Sequence, residues 1–334
     1  MKYLVIRFSS LGDCILLCPL LEHLKRSGAD EVVVLTKRAY AGLFACATGA
    51  TRVVALDTSA GGAALWRTAG EFARGEYTVI DAHASWRSRI AAWRTGGAAA
   101  RIRKHTRERL GLIVWKRRAE LPTMLERYAQ LCAPLGLAVP SLAPGGVRLP
   151  EPAARAAERA MRDAPFIALA PGSRWASKRW NGFARLASML AGEARILLVG
   201  DEGDREFSRP IAEALGERCL DLTGRARLIE TAAHVARCRA FVGNDSGLMH
   251  LAEAVGVPVV SLFGPTVEAF GYFPSRPESR TIERRLACRP CSRNGSLPCP
   301  RATRECLDAI SAETVAHAVA TLFDASAPRR IRLD

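Results

Sequence analysis

The sequence has no long hydrophobic run. Its longest uncharged apolar stretch near the start, "CILLCPLL", is bracketed by Asp13 and Glu22, far short of the roughly 20 residues a membrane-spanning helix needs. A cleavable leader is missing too: the preceding segment already alternates as a strand, and no small-residue cleavage site follows. These absences predict a cytoplasmic protein. Acidic residues are in short supply. Lys and Arg number 48 against 33 Asp and Glu, a formal net charge of +15, which points to nucleic acid, an anionic membrane surface or phosphorylated small molecules as partners. Yet zinc-finger spacing, an RNA-recognition motif and a basic amphipathic helix of the usual kinds are all absent, so no nucleic-acid partner is expected. The turn "SSLGDC" lacks the G-x-G-x-x-G of dinucleotide binding, which argues against a dehydrogenase.

What is present alternates. "KYLVIRF" reads as a strand, "SSLGD" as a tight turn, "CILLCPLLEHLKRSG" as an amphipathic helix ending at Gly28, and "EVVVLT" as the next strand. That is a βαβ unit with a right-handed crossover. "RVVALD" and "YTVIDAH" add strands. From Ala138 to Pro165 proline and glycine interrupt the pattern, with helix expected only from Pro152 to Asp163. This predicts the connection between two domains, residues 1–150 and 151–334. Alternation then restarts, with strands at "FIALAPG", "RILLVG", "CLDLTG", "CRAFVG" and "VPVVSLFG" and helices between them. A last helix, "SAETVAHAVATLFDA", opens on a capping pattern at Ser311 and is long enough to reach back across domains. The pattern predicts an α/β protein: two doubly wound, Rossmann-like parallel-sheet domains facing a cleft, with ligands beyond the carboxyl ends of the strands.

Four polar stretches fall at such ends. Asp13 closes "SSLGD", where a carboxylate either caps the first helix or acts as a base, and Gly12 permits a tight turn and close approach of a ligand. "APGSRWASKRW" supplies Ser173, Arg174, Lys178 and Arg179 as donors and Trp175 and Trp180 as flat faces. That mixture suits a phosphate beside a sugar or base, or else a solvated loop with two half-buried indoles. In "VGDEGDRE", Glu202 or Asp204 is eligible to bind ribose hydroxyls, or simply to start a helix. In "FVGNDSGLMH", Asp245 or Ser246 would cap a helix and Gly247 lets a diphosphate approach its free amides. His250 lies one turn further in, and Thr266 of "FGPT" adds a hydroxyl.

The stretches "RFSSLGDCILLCPLLEHLK", "APGSRWASKRWNGFARLA" and "FVGNDSGLMHLAEAVGVPVVSLFGPT" resemble the signatures of glycosyltransferase family 9, the bacterial heptosyltransferases. The resemblance implies the GT-B architecture, with acceptor in the N-terminal domain and donor in the C-terminal one. It implies transfer, with inversion and no required cofactor or metal, of heptose from ADP-L-glycero-D-manno-heptose to the inner core of lipopolysaccharide. Asp13 matches the family's general base and Lys178 a lysine at the donor phosphates. Asp245, Ser246, Gly247 and His250 match the donor loop, where the family more often has Thr in place of Ser246. Ser173 joins the donor set, and the ribose carboxylate falls near Glu202, with Asp204 as its rival. "DAHASWRS" matches an acceptor-side segment often written with Gln where His83 stands. A carboxylate at a helix start is a weak base, so late proton transfer to Asp13 is expected, concerted with departure of the diphosphate.

Between Arg87 and Arg118 eleven basic residues face only Glu108. Under this reading Arg87, Arg101 and Arg103 join Gly12 and His83 in binding an anionic, Kdo-containing acceptor. The cluster would also hold the protein peripherally on the cytoplasmic face of the inner membrane. Six of ten cysteines are scattered in apolar surroundings. Cys288, Cys291, Cys299 and Cys306 form the loop "CRPCSRNGSLPCPRATREC", whose uneven spacing matches no standard zinc module. A bound metal and reduced or loosely paired thiols are both open there. The resemblance adds that such loops occur particularly in members that add the second heptose. Another nucleotide sugar or another acceptor remains a live alternative, and a basic nucleic-acid-binding protein is suggested only by the charge.

Overall fold

The computed structural model describes residues 1–57, 61–117, 119–324 and 327–333. Arg118, the end of the basic run, lies outside them. The chain begins with β1 (Lys2–Ile6), α1 (Leu11–Arg26), β2 (Glu31–Lys37), α2 (Arg38–Ala45), β3 (Arg52–Leu56), α3 (Gly61–Gly70), β4 (Thr78–Asp81), α4 (Trp86–Arg94) and β5 (Ala100–Arg101). Helices α5 (Thr106–Val114), α6 (Met124–Ala129) and α7 (Glu151–Ala160) follow. The alternation resumes with β6 (Phe166–Ala170), α8 (Phe183–Leu190), β7 (Arg195–Leu198), α9 (Arg205–Leu215), β8 (Cys219–Asp221) and α10 (Leu228–Val235). Next are β9 (Ala240–Asn244), α11 (Gly247–Ala254), β10 (Val259–Phe263), β11 (Arg280–Arg284), α12 (Glu305–Asp308), α13 (Ala312–Ala320) and β12 (Arg330–Leu333).

Two compact units result, one of Met1–Lys104 and Pro122–Arg148, the other of His105–Leu121 and Leu149–Asp334. The division is thus not a single break near residue 150. Residues 105–121 belong with the second unit because their cations are spent there. Arg109 donates to the Phe270 carbonyl (2.5 Å) and lies over the Tyr272 ring, and Lys116 Nζ donates to the carbonyls of Cys288 and Pro290 at 2.9 and 2.7 Å.

In the first unit the described strands form a parallel sheet in the order β3-β2-β1-β4-β5. β1 is buried from its second residue onward, as expected of a strand covered on both faces. Winding proceeds outward from β1 through β3, then reverses to β4, so the loops after β1 and β4 lie side by side at the carboxyl edge. In the second unit the order is β12-β11-β10-β9-β6-β7-β8, again parallel. Its reversal falls between β6 and β9, whose following loops carry Lys178 and Asp245. β11 escapes a search for apolar runs because Glu283 within it is buried against Arg289 and Arg332. α13 stays with its own unit, where Val315 and Ala318 enter the core that includes Leu186 and Leu190 of α8. Ser311 caps it by accepting from the Thr314 amide at 3.1 Å. No helix among the described residues is long and apolar enough to cross a membrane.

Candidate active site

In the second unit, fully buried Asn244 at the end of β9 ties the two switch-point loops together. Its Nδ2 donates to the carbonyls of Pro171 and Gly172 (3.1 and 3.0 Å), and its Oδ1 accepts from the Trp180 amide (3.1 Å). With the loops held, Lys178 Nζ meets Asp245 Oδ2 at 2.5 Å, and Thr266 Oγ1 donates to the same oxygen at 2.6 Å. Burial opposes ionisation of Asp245, but Lys178, Thr266 and neighbouring His250 outweigh it and hold the carboxyl below its ordinary range. Ser246 occupies the N-cap position of α11 without making a side-chain cap. Its Oγ is buried and meets no hydrogen-bond partner among the described residues. Gly247 is the first helical residue, and His250 is buried one turn on. An ammonium, an uncommitted hydroxyl and a helix N-terminus therefore belong to one corner of the unit, which suits an anion carrying more than one oxygen.

The neighbouring candidates separate. Ser173 is buried, and its carbonyl accepts from Arg179 Nε at 2.8 Å. Trp180 is a core residue, its indole N–H spent on the Ile310 carbonyl (2.9 Å) and its ring packed on Phe183, so it offers no face to a ligand. Trp175 is half-buried beneath Arg174. Glu202 is exposed and paired with Arg205 at 2.9 Å. Asp204 is wedged where side chains on Gly172 and Gly200 would stand, and burial pushes its carboxyl up.

The cysteine loop packs over this corner. Cys291 N donates to the Pro265 carbonyl (3.0 Å), Arg289 reaches the Thr266 carbonyl (2.7 Å), and Ser177 Oγ donates to the Gly295 carbonyl (2.5 Å). Gly295, at φ +82°, lies so close that a Cβ there would stand 2.8 Å from Lys178 Cγ. Among the described residues no group of three or more His, Cys, Asp and Glu side chains is placed to hold a metal ion. Cys291 turns its thiol to the Cys288 carbonyl (3.4 Å), Cys299 is half-buried, and Cys306 faces the core, where burial pushes its thiol up to about 11.

In the first unit Asp13 is the third residue of α1, not its N-cap. Ser10 is the cap, and Asp13 Oδ2 reaches back to accept from its amide and hydroxyl at 3.0 and 2.7 Å. The same oxygen pairs with buried Arg7 at 2.6 Å. Arg7 also donates to the Ala82 carbonyl (2.5 Å), joining the loops after β1 and β4. Tyr128 of α6 donates to the Asp13 carbonyl (3.0 Å), and Gly12 is buried beside it. His83 accepts at Nδ1 from the Phe8 amide (3.2 Å). Burial, then Arg7 and Lys104, depress its pKa to about 4. Asp81, fully buried, accepts from the amides of His83 and Ala84 and pairs with Arg101 at 3.0 Å. Arg101 is thus paired with Asp81 while remaining exposed, as Arg87 and Arg103 are. Arg7, Asp81 and Asn244 are the site residues missed by reading motifs alone. Each was signalled only as a polar residue ending or just following a buried strand.

The family description "Glycosyltransferase family 9 (heptosyltransferase)" matches residues 65–298. The chain belongs to glycosyltransferase family 9. The matched region contains the Lys178 and Asp245 loops and excludes the Asp13 turn. A lipooligosaccharide heptosyltransferase 2 from Haemophilus influenzae is 38% identical over 128 residues, 36% of this family 9 chain and 36% of that protein. A lipopolysaccharide heptosyltransferase 2 from Escherichia coli is 37% identical over 114 residues, 32% of this chain and 33% of that one. By sequence the chain spans about a third of the length of these curated relatives. The solved E. coli ADP-heptose lps heptosyltransferase II aligns with a TM-score of 0.73 at 24% identity, covering 96% of this chain and 98% of that one. E. coli heptosyltransferase WaaC with ADP-2-deoxy-2-fluoro heptose aligns at 0.68 and 19% identity, covering 96% and 99%. These likenesses give the fold as GT-B.

Two consequences can be measured on the family 9 chain. Gly295→Ala combines a strained φ with a clash against the Lys178 stem. Inorganic diphosphate, a probe for this anion-suited corner, should bind about tenfold more weakly to the variant than to the unaltered chain, and unchanged binding by calorimetry would separate the loop from the lysine. His83 takes up no proton in the folded state until about pH 4, whereas an unfolded histidine does so near 6.5. Stability should therefore fall as pH drops from about 6.5 to about 4. His83→Gln should flatten that part of the urea-denaturation profile, and an unaltered slope would contradict the assignment.

Proposed function

We propose that this glycosyltransferase is an inverting heptosyltransferase, moving heptose from ADP-L-glycero-D-manno-heptose to the inner core of lipopolysaccharide. The observation that carries the reading is the Lys178–Asp245 pair in the same corner as the N-terminus of α11 and the uncommitted Ser246 hydroxyl. That corner suits a diphosphate. Family membership supports heptose as the transferred group, and the binding of an ADP-heptose analogue by WaaC supports the nucleotide.

In this reading the second unit takes the donor and the first the acceptor. Lys178, the first amides of α11 and Ser246 bind the diphosphate and stabilise the charge that grows on it as its bond to the anomeric carbon breaks. His250 supports the same corner, and Ser173 with Glu202 or Asp204 borders the nucleoside. An acceptor hydroxyl attacks the opposite face of the anomeric carbon, and its proton passes to the Asp13 carboxylate. Arg7 and Ser10 stabilise that carboxylate before transfer, so the proton moves late, as the diphosphate leaves. This step draws its charge stabilisation from the chain's own groups. Gly12, His83, Arg87, Arg101 and Arg103 border the acceptor, an anionic Kdo-containing saccharide. Exposed arginines suit peripheral attachment to the cytoplasmic face of the inner membrane.

The test is ADP release from ADP-heptose with and without a Kdo-containing core acceptor. Release should require the acceptor, and Asp13→Asn should lower it by about 100-fold or more while ADP still binds. Near-normal turnover of Asp13→Asn would remove the base. A folded, ADP-binding protein that releases nothing with any core acceptor would overturn the substrate.

A further inference from the structure

Helix α4 turns its small residues inward and its large apolar ones outward. Ser88, Ala91 and Ala92, with Thr95 at the C-cap, are buried, whereas Trp86, Ile90 and Trp93 are 63%, 38% and 60% exposed. Those three recur one per helical turn and so form a single stripe. Trp66 of α3, 45% exposed, widens it, its ring centroid 5.8 Å from that of Trp93. A helix serving only its own core places large apolar residues on the opposite side.

Arginines border the stripe. Arg87 lies over the Trp86 ring (5.0 Å), Arg94 over Trp66 (5.2 Å) and Arg74 over Trp93 (5.9 Å). Neither α3 nor α4 contains an acidic residue. Indoles with one apolar body and one N–H, set among arginines whose stems lie along them, match the boundary between lipid headgroups and acyl chains. A nucleic-acid strand fits less well: the guanidinium groups occupy ring faces that bases would stack on, and an aliphatic Ile90 holds the middle of the stripe.

We propose that the α3–α4 face seats the protein on an anionic phospholipid bilayer, with Trp66, Trp86, Ile90 and Trp93 entering the interface and the bordering arginines meeting lipid phosphates. This deepens the membrane-surface reading above by naming the surface and its ligand. The full chain should sediment with vesicles of phosphatidylethanolamine and phosphatidylglycerol that carry no saccharide, and only weakly with phosphatidylcholine vesicles. Brominated acyl chains should quench its tryptophan fluorescence. The Trp86→Ser, Trp93→Ser double variant alters only exposed side chains. It should lose about tenfold or more in partitioning and most of the quenching, with turnover of a lipid-free, water-soluble acceptor unchanged. Vesicle binding in a chain that transfers no heptose would still support this docking face, because the vesicles hold no acceptor. Equal partitioning of wild type and double variant would overturn it. So would a wild type that ignores anionic vesicles yet binds single-stranded DNA through the same tryptophans.

Discussion

A lysine and an aspartate from neighbouring loops, paired out of water, hold together what the second unit offers a ligand. Taking both charges from solvent is costly, and such a pair often adds little net stability compared with an apolar substitute. Its value at this position is geometric. Lys178 follows β6 and Asp245 follows β9, the two strands between which the winding reverses. Thr266 at the end of β10 completes the carboxylate's bonds, and Asn244 fixes the backbone on either side. The ammonium is thereby presented near the first turn of α11 without needing to be ordered by the ligand, which lowers the entropic cost of binding.

The first unit uses the same device. Arg7 and Asp13 pair at the reversal between β1 and β4, and Arg7 bridges to the loop after β4 through Ala82. A cation from the strand end fixes a carboxylate in the first turn of a helix, where the amide and hydroxyl of Ser10 fix it again. In the proposed reading one unit offers the cation to its ligand and the other the carboxylate. His83 beside Phe8 is kept neutral by the same burial and by Arg7, so the switch-point corner of the first unit loses no hydrogen-bond acceptor to protonation near neutral pH.

Much of this was legible in the sequence where physics leaves a local trace. Buried parallel strands are short apolar runs, and the turns after β1, β6 and β9 stand out because polar residues crowd where such runs end. Asp13, Lys178 and Asp245 are found that way. Pairwise facts leave no such trace. Nothing near Asp13 reveals that Ser10 is the cap and Arg7 the partner, and the pairing of Arg101 with Asp81 depends on register between β4 and β5. β11 and β12 were invisible because their polar residues are satisfied by partners distant in sequence, and residues 105–121 read as part of the first domain until their cations are followed to Phe270, Cys288 and Pro290. The stripe on α4 has the opposite cause: its apolar period is clear, but the period alone does not say which side faces the core.

The central claim is that Asp245 serves the donor through Lys178. A double-mutant cycle on ADP affinity tests it most directly, with Lys178→Met, Asp245→Asn and the two combined, each checked for folding and titrated by calorimetry. The account predicts that each single change weakens ADP binding by about tenfold or more, and that the combination binds no more weakly than Lys178→Met alone. Losses that simply add, or an Asp245→Asn protein that binds ADP like wild type, would contradict it.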